Sequence, residues 1–178
     1  IKGNISSTDF TNMNTAFKGL SSALEIGVTL DLSEATMTEI PANAFNGCTK
    51  LKGIIIPGCV TSIGNYAFNG CTGLNTLRLE DGTATLKLGC NTYNSSGGKG
   101  LFADCKLTSL YVGRNMSYTV LTGNYSYSDR PSYYGYSAFA NITTSFDAEI
   151  GAKVTSIPMY MFYGCEGLTS VIINDSAA

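Results

Sequence analysis

The chain repeats itself, and that confines it to architectures in which one unit stacks on the next. The stretch Thr38-Glu-Ile-Pro-Ala-Asn-Ala-Phe-Asn-Gly-Cys48 returns as Thr61-Ser-Ile-Gly-Asn-Tyr-Ala-Phe-Asn-Gly-Cys71. It returns again as Thr155-Ser-Ile-Pro-Met-Tyr-Met-Phe-Tyr-Gly-Cys165. Phe45 and Phe68 are 23 residues apart, as are Phe139 and Phe162. After the Phe of most units comes a second signature, seen in Leu51-Lys-Gly-Ile-Ile-Ile56, Leu74-Asn-Thr-Leu-Arg-Leu79, Leu107-Thr-Ser-Leu-Tyr-Val112 and Leu168-Thr-Ser-Val-Ile-Ile173. Phe102 follows Phe68 by 34 residues and Phe139 follows Phe102 by 37, so two units carry insertions, near 89–99 and near 121–136. A stacked core accepts no extra residues, which predicts surface loops at both places.

Within each unit, apolar residues alternate along a short strand and then recur at wider spacing. Alternation sends Ile54 and Ile56 inward and Ile55 outward. A single unit cannot bury its own apolar face, so the strands must stack side by side in a parallel sheet. The first strand is expected at 29–33. Carrying the 23-residue register along the chain, with one-residue adjustments, places Asp31, Ile55, Arg78, Tyr111, Glu149 and Ile172 in one outward row. An ordinary solvated face does not need Ile55, Tyr111 and Ile172, and their mixture with Arg78 and two carboxylates suits a protein contact.

The N-terminus follows another rule. Phe10, Met13, Phe17, Leu20 and Leu24 are spaced alternately by three and four, which predicts an amphipathic helix over 8–24. Ser7 or Thr8 is expected to cap it and Gly27 to end it, with Phe17 and Leu20 covering the open core of the first unit. The organisation expected is an N-terminal helical cap at 1–28 and a repeat region at 29–178.

These motifs resemble the BspA-like leucine-rich repeat family. The carrier of the resemblance is the unit Ile-Pro-x-x-x-Phe-x-Gly-Cys-x-x-Leu-x-x-Ile-x-Ile-Pro over roughly residues 28–178, with the opening Val28-Thr-Leu-Asp-Leu-Ser-Glu-Ala-Thr36. The resemblance implies a β-rich α/β fold, a right-handed leucine-rich-repeat solenoid. It also implies a secreted or surface-anchored bacterial protein that acts as an adhesin or interaction module and not as an enzyme. The departures are the two insertions and Ile142, which stands where the unit has Cys.

Composition closes off several other functions. No His is present, which removes Ser-His-Asp and Cys-His catalysis and every His-containing metal site. The 11 Lys and Arg against 13 Asp and Glu leave no basic excess for nucleic acid. No apolar run reaches the roughly 20 residues a membrane helix needs. The first residue is Ile, which fits a removed leader or a piece of a longer protein. Cys48, Cys71, Cys105 and Cys165 share one repeat position that also accepts Ile142, so a ladder of buried thiols is expected, not disulfides. Cys59 and Cys90 fall outside it. With spacings of 23 or more, the ladder lacks the paired spacing of a zinc site. No metal or cofactor is expected. Asp147 and Glu149, two apart on a strand, read as a solvated face before they read as an acid–base pair.

Six of the 11 Tyr lie between Tyr118 and Tyr136, among Ser, Gly and Asn. Binding loops favour that mixture, because Tyr brings broad amphipathic contact at low entropic cost. Tyr125, Tyr127, Tyr133, Tyr134 and Tyr136 are therefore candidate contact residues beside the strand row. The expected function is extracellular or cell-surface protein binding, to a host matrix or cell-surface protein. The alternative is a carbohydrate-binding module built on the Tyr-rich insertion.

Overall fold

A computed structural model describes residues 1–20, 27–91, 100–118, 138–140 and 142–175. Strand β1 (Lys2–Asn4) leads into helix α1 (Ser7–Lys18). Then come β2 (Val28–Asp31), β3 (Glu34–Thr36), β4 (Glu39–Ile40), β5 (Leu51–Ile56), β6 (Ser62–Ile63) and β7 (Thr76–Leu79). The remainder are β8 (Leu86–Leu88), β9 (Ser109–Val112), β10 (Met116–Tyr118), β11 (Phe146–Ile150) and β12 (Leu168–Ile173).

Most strands sort into two parallel sheets, of which the larger runs from the first coil to the last. The larger has six strands in the order β2-β5-β7-β9-β11-β12, and the smaller has four, β4-β6-β8-β10. Each of the first four coils gives one strand to the larger sheet, turns, and gives a short strand to the smaller, whereas β11 and β12 have no such counterpart among the described residues. A β-rich, solenoid-like α/β stack results. β1 pairs with β3 in a separate two-stranded sheet.

The turns that lead from one coil into the next carry a column of rings. Phe45, Phe68, Phe102, Phe139 and Phe162 follow one another at centroid distances of 5.6, 5.1, 5.5 and 5.8 Å. The stacking of the coils sets this spacing, since it is nearly the same across intervals of 23, 34 and 37 residues. The turns around Phe45, Phe68 and Phe162 each hold two left-handed residues. Two positions before the Phe stand Asn43, Tyr66 and Tyr160, with φ near +60°. Two positions after it stand Gly47, Gly70 and Gly164, replaced in one coil by Asp104 at φ 68°. Gly47 and Gly70 also pack closely, since a Cβ on Gly70 would lie 3.4 Å from the Gly47 Cα.

The thiol position behaves as its acceptance of Ile predicts. Cys48, Cys71, Cys105 and Ile142 are buried, Cys165 is half-buried, and none of the six cysteines is in a disulfide. Cys59 is exposed and Cys90 is buried, and they form no bridge with each other. Cys90 pairs instead with Gly100 in an antiparallel bridge, while Asn91 Nδ2 donates to the Leu101 carbonyl at 3.1 Å, so a backbone bridge and a side-chain hydrogen bond join the two ends of the first insertion.

The N-terminal segment differs from its expectation in three ways. The helix begins one residue early, because Ser6 and Asp9 form a reciprocal capping box: Ser6 Oγ accepts from the Asp9 N–H and the Asp9 carboxylate accepts from the Ser6 N–H. It ends at Lys18, because Gly19 serves as its C-cap eight positions before Gly27. Leu20 therefore lies beyond the helix and is 36% exposed, and it does not cover the first coil. Phe10 is fully buried there, edge-on to Phe45 at 5.7 Å, with Met13 and Phe17 partly buried against the same core. Leu24 falls outside the described residues. The third difference is β1, a strand ahead of the helix that the apolar spacing does not signal.

Candidate binding face

Strand pairing brings the six outward residues into one row. Asp31 pairs with Ile55, Ile55 with Arg78, Arg78 with Tyr111, Tyr111 with Glu149, and Glu149 with Ile172. The two bulges that could have broken this register lie before the row, between Val28 and Thr29 and between Phe146 and Asp147, so they leave it intact. Ile55 and Tyr111 are half-buried, and the other four are exposed. Tyr125, Tyr127, Tyr133, Tyr134 and Tyr136 lie outside the described residues.

The centre of the row is held in place before any partner arrives. The Arg78 guanidinium lies 3.9 Å from the centroid of the Tyr111 ring, a cation–π contact worth about 0.5–1 kcal/mol at an exposed site. Tyr111 Oη donates to Asp81 Oδ1 at 2.5 Å, and that bond is the main cause that raises the Tyr111 pKa above the ordinary phenol value. Two glycines in the following coils leave room for the pair. A Cβ on Gly113 would lie 2.3 Å from Asp81 Oδ1, and one on Gly151 would lie 2.5 Å from Tyr111 Oη. Tyr111 is thus an aromatic plate fixed at both ends, by a cation over its face and a carboxylate at its tip.

The carboxylates of the face are engaged. Asp147 accepts from Ser170 Oγ and Thr169 Oγ1, which hold its carboxyl below the ordinary value, and Glu149 accepts from Asn174 Nδ2 at 2.6 Å. Asp31 accepts from the Ser33 N–H at 2.9 Å, with the same effect on its pKa. Each of these carboxylates thus already accepts a hydrogen bond from its own chain. Among the described residues, no group of three or more His, Cys, Asp or Glu side chains converges to hold a metal ion. An open depression of about 270 Å³ follows the row over β7, β9 and β11, with Arg78, Tyr111, Asp147, Glu149 and Ile172 in its lining.

The model of the BspA-type leucine-rich repeat region matches this chain in six copies, over residues 13–131 and 38–178. The chain belongs to the BspA-type leucine-rich repeat family. No curated protein and no solved structure matches it. Within this BspA-type repeat chain, strand alternation and the adjusted register give the outward row, whereas Asp81 and Asn174 lie past the ends of their strands, where alternation says nothing. The glycines at 113 and 151 were the signal for Asp81: small residues in the next coils mark a place where a side chain crosses the stack.

No helix among the described residues is long and apolar enough to cross a membrane.

Proposed function

We propose that this chain is a non-catalytic, adhesin-like recognition module that works outside the cell or on its surface and binds a protein partner across the row from Asp31 to Ile172. The observation that carries the reading is the Arg78–Tyr111–Asp81 cluster. A rotamer-rich Arg and a broad Tyr are already ordered at the middle of an exposed row, so a partner does not have to supply the entropy of ordering them. Tyr and Arg are also the residue types in which interface energy concentrates. Ile55 and Ile172 on the same face supply apolar contact. Membership of a leucine-rich repeat family supports the protein-interaction reading.

Two finer points of architecture belong to this proposal: a 23-residue unit as the building block, and α1 as the N-terminal cap of the stack. The burial of Phe10 against Phe45 supports the second.

The test is capture of extracellular-matrix and cell-surface proteins on the immobilised chain, followed by affinity measurement with the Arg78→Ala/Tyr111→Ala double variant. Loss of about 2 kcal/mol or more, roughly 30-fold in Kd, is expected. Unchanged affinity in a folded double variant rejects the row. Binding on a glycan array that disappears when Tyr125, Tyr127, Tyr133, Tyr134 and Tyr136 are replaced would assign the function to carbohydrate recognition by the insertion.

A further inference from the structure

The outward face of the large sheet holds more negative charge than the chain as a whole. Asp31, Asp81, Asp147 and Glu149 lie on the row or beside it, with Arg78 among them. Four negative charges and one positive give this face a formal −3, against −2 for the entire chain. Lys52, a further cation of the sheet, starts β5 beside Gly27, three strands away from Asp147. The donors that hold the carboxylates are neutral: Tyr111 for Asp81, the Ser33 N–H for Asp31, Ser170 and Thr169 for Asp147, Asn174 for Glu149. Such donors fix a carboxylate and leave its charge in place. Among the described residues the ion pair is Lys2 with Glu34, on the separate two-stranded sheet.

Charge and shape coincide in the depression over β7, β9 and β11. Its lining puts the apolar surface of Tyr111 and Ile172 next to Asp147 and Glu149, which stand two apart on β11 and are both exposed. Arg78 lines it too, but its guanidinium is spent on the Tyr111 ring. Long basic side chains suit such a place, because they lay an apolar stem along a surface and keep the charged head among polar groups. We propose that the depression receives a Lys or Arg side chain of the protein partner, its stem along Tyr111 and its cation between Asp147 and Glu149. The face thereby selects basic segments, an inference that rests on the row being the binding face.

Two arguments favour this occupant. An acidic segment would set its charges against four carboxylates, with Arg78 as the counter-charge within the row, and like-charge juxtaposition of this kind suppresses the wrong partner. A basic segment meets the opposite field along the whole row, which also speeds its encounter. The second argument is order. Hydroxyls of Ser170 and Thr169 already hold Asp147, and the Asn174 amide holds Glu149, so an arriving cation gains its charge pairing without first ordering either side chain.

The test is selection of a phage-displayed library of random dodecapeptides on the immobilised 178-residue chain, followed by Kd measurement on the recovered peptides. Peptides rich in Lys or Arg are expected, with affinity that falls as salt rises from about 0.05 to about 0.5 M. Asp147→Asn/Glu149→Gln keeps an acceptor oxygen at each site, removes both charges and should weaken binding about fivefold or more. Glu39→Gln/Glu166→Gln, which removes two charges at other exposed positions, should leave it unchanged. Should the first double variant fail to fold, the salt dependence of the unaltered chain decides. Uncharged or acidic peptides, no recovered peptide, salt-independent affinity, or equal losses in the two double variants overturn the inference. Matrix-protein binding that needs Arg78 and Tyr111 but tolerates Asp147→Asn/Glu149→Gln keeps the row and overturns the basic partner. Binding indifferent to Arg78 and Tyr111 rejects the row itself.

Discussion

Arg114 donates to the carbonyl of Val60, 54 positions earlier in the chain, at 2.6 Å. The same guanidinium donates to Gly58 and Pro57 carbonyls at 2.8 Å each, and the side chain is wholly buried with no carboxylate among its hydrogen-bond acceptors. It crosses the stack over Gly82, where a Cβ would lie 3.1 Å from the Arg114 Cδ. Burial pulls its pKa down, and the carbonyl dipoles of a turn two coils away offset the cost of placing a cation there. Arg114→Leu strands those carbonyls and should cost about 3–5 kcal/mol in urea unfolding. Arg114→Lys, which cannot present a planar fork, should fall between. A loss below 1 kcal/mol for Arg114→Leu would show that water replaces the guanidinium.

The ring column predicts a gradient of cost. Phe68 is fully buried between two rings, so Phe68→Ala should lose about 3–5 kcal/mol. Phe162 is half-buried and has a ring on one side, so Phe162→Ala should lose about half as much. Equal losses in chemical denaturation would mean that the end of the column is as well packed as its middle.

The thiol ladder makes an alkaline prediction. Burial pushes Cys71 from 9.0 to about 12, so the folded chain keeps this proton when the unfolded chain has lost it. The contribution of this group to stability is complete below pH 9.0 and declines as pH climbs toward about 12. Cys48 and Cys105 shift in the same direction. Below pH 9 the buried thiols Cys48, Cys71 and Cys105 should alkylate only on unfolding. Cys71→Ala should cost about 1–2 kcal/mol from lost burial and should flatten the alkaline decline.

At the acid end, Asp147 reports on the contact between β11 and β12. Hydroxyls from Ser170 and Thr169 lower its pKa from 3.8, so the stability it contributes is present above that value and is lost as pH falls through the lowered one. Ser170→Ala should move the carboxyl titration upward toward 3.8, read by carbon NMR of the Asp147 side chain. A midpoint that does not move would show that Ser170 is not its partner in solution.

The helix offers a sharper test of what seals the first coil. Phe10→Ala should cost about 3 kcal/mol or more, and Ser6→Ala about 1 kcal/mol through loss of the capping box. Leu20→Ala, beyond the helix end, should stay within about 0.5 kcal/mol. Thermal melts of the three variants rank them. Leu20 as the costliest would restore the longer helix that periodicity alone suggests.

Much of this was legible in the sequence for one physical reason. Strand side chains alternate with period two and the coils share one pattern, so the partners of Tyr111 could be found by carrying the register across the insertions with one-residue adjustments. Counting fails where the repeat does not govern. The three-and-four spacing from Phe10 to Leu24 carries past Gly19, yet a Gly C-cap ends a helix whatever apolar residues follow. Tyr66 and Tyr160 sit in left-handed backbone that bulky aromatics rarely adopt, and their identity gives no hint of it. Arg114 was invisible because its acceptors are backbone carbonyls, which carry no residue-type signature. The four-stranded second sheet was written only as widely spaced apolar anchors such as Ile40 and Ile63, too short to show alternation.

The parallel pairing that aligns Asp31 with Ile172 also makes the face a ruler. Its divisions are the hydrogen-bonded strand spacing, about 4.8 Å, and they do not change when the chain between two strands grows longer. An extended segment crossing it presents same-side residues about every 6.7 Å and falls out of step at the second mark. One turn of a helix advances about 5.4 Å, so a helical ridge laid along the row keeps step over three or four strands before it drifts. Loop length can therefore vary freely in this molecule while the pitch offered to a partner stays constant.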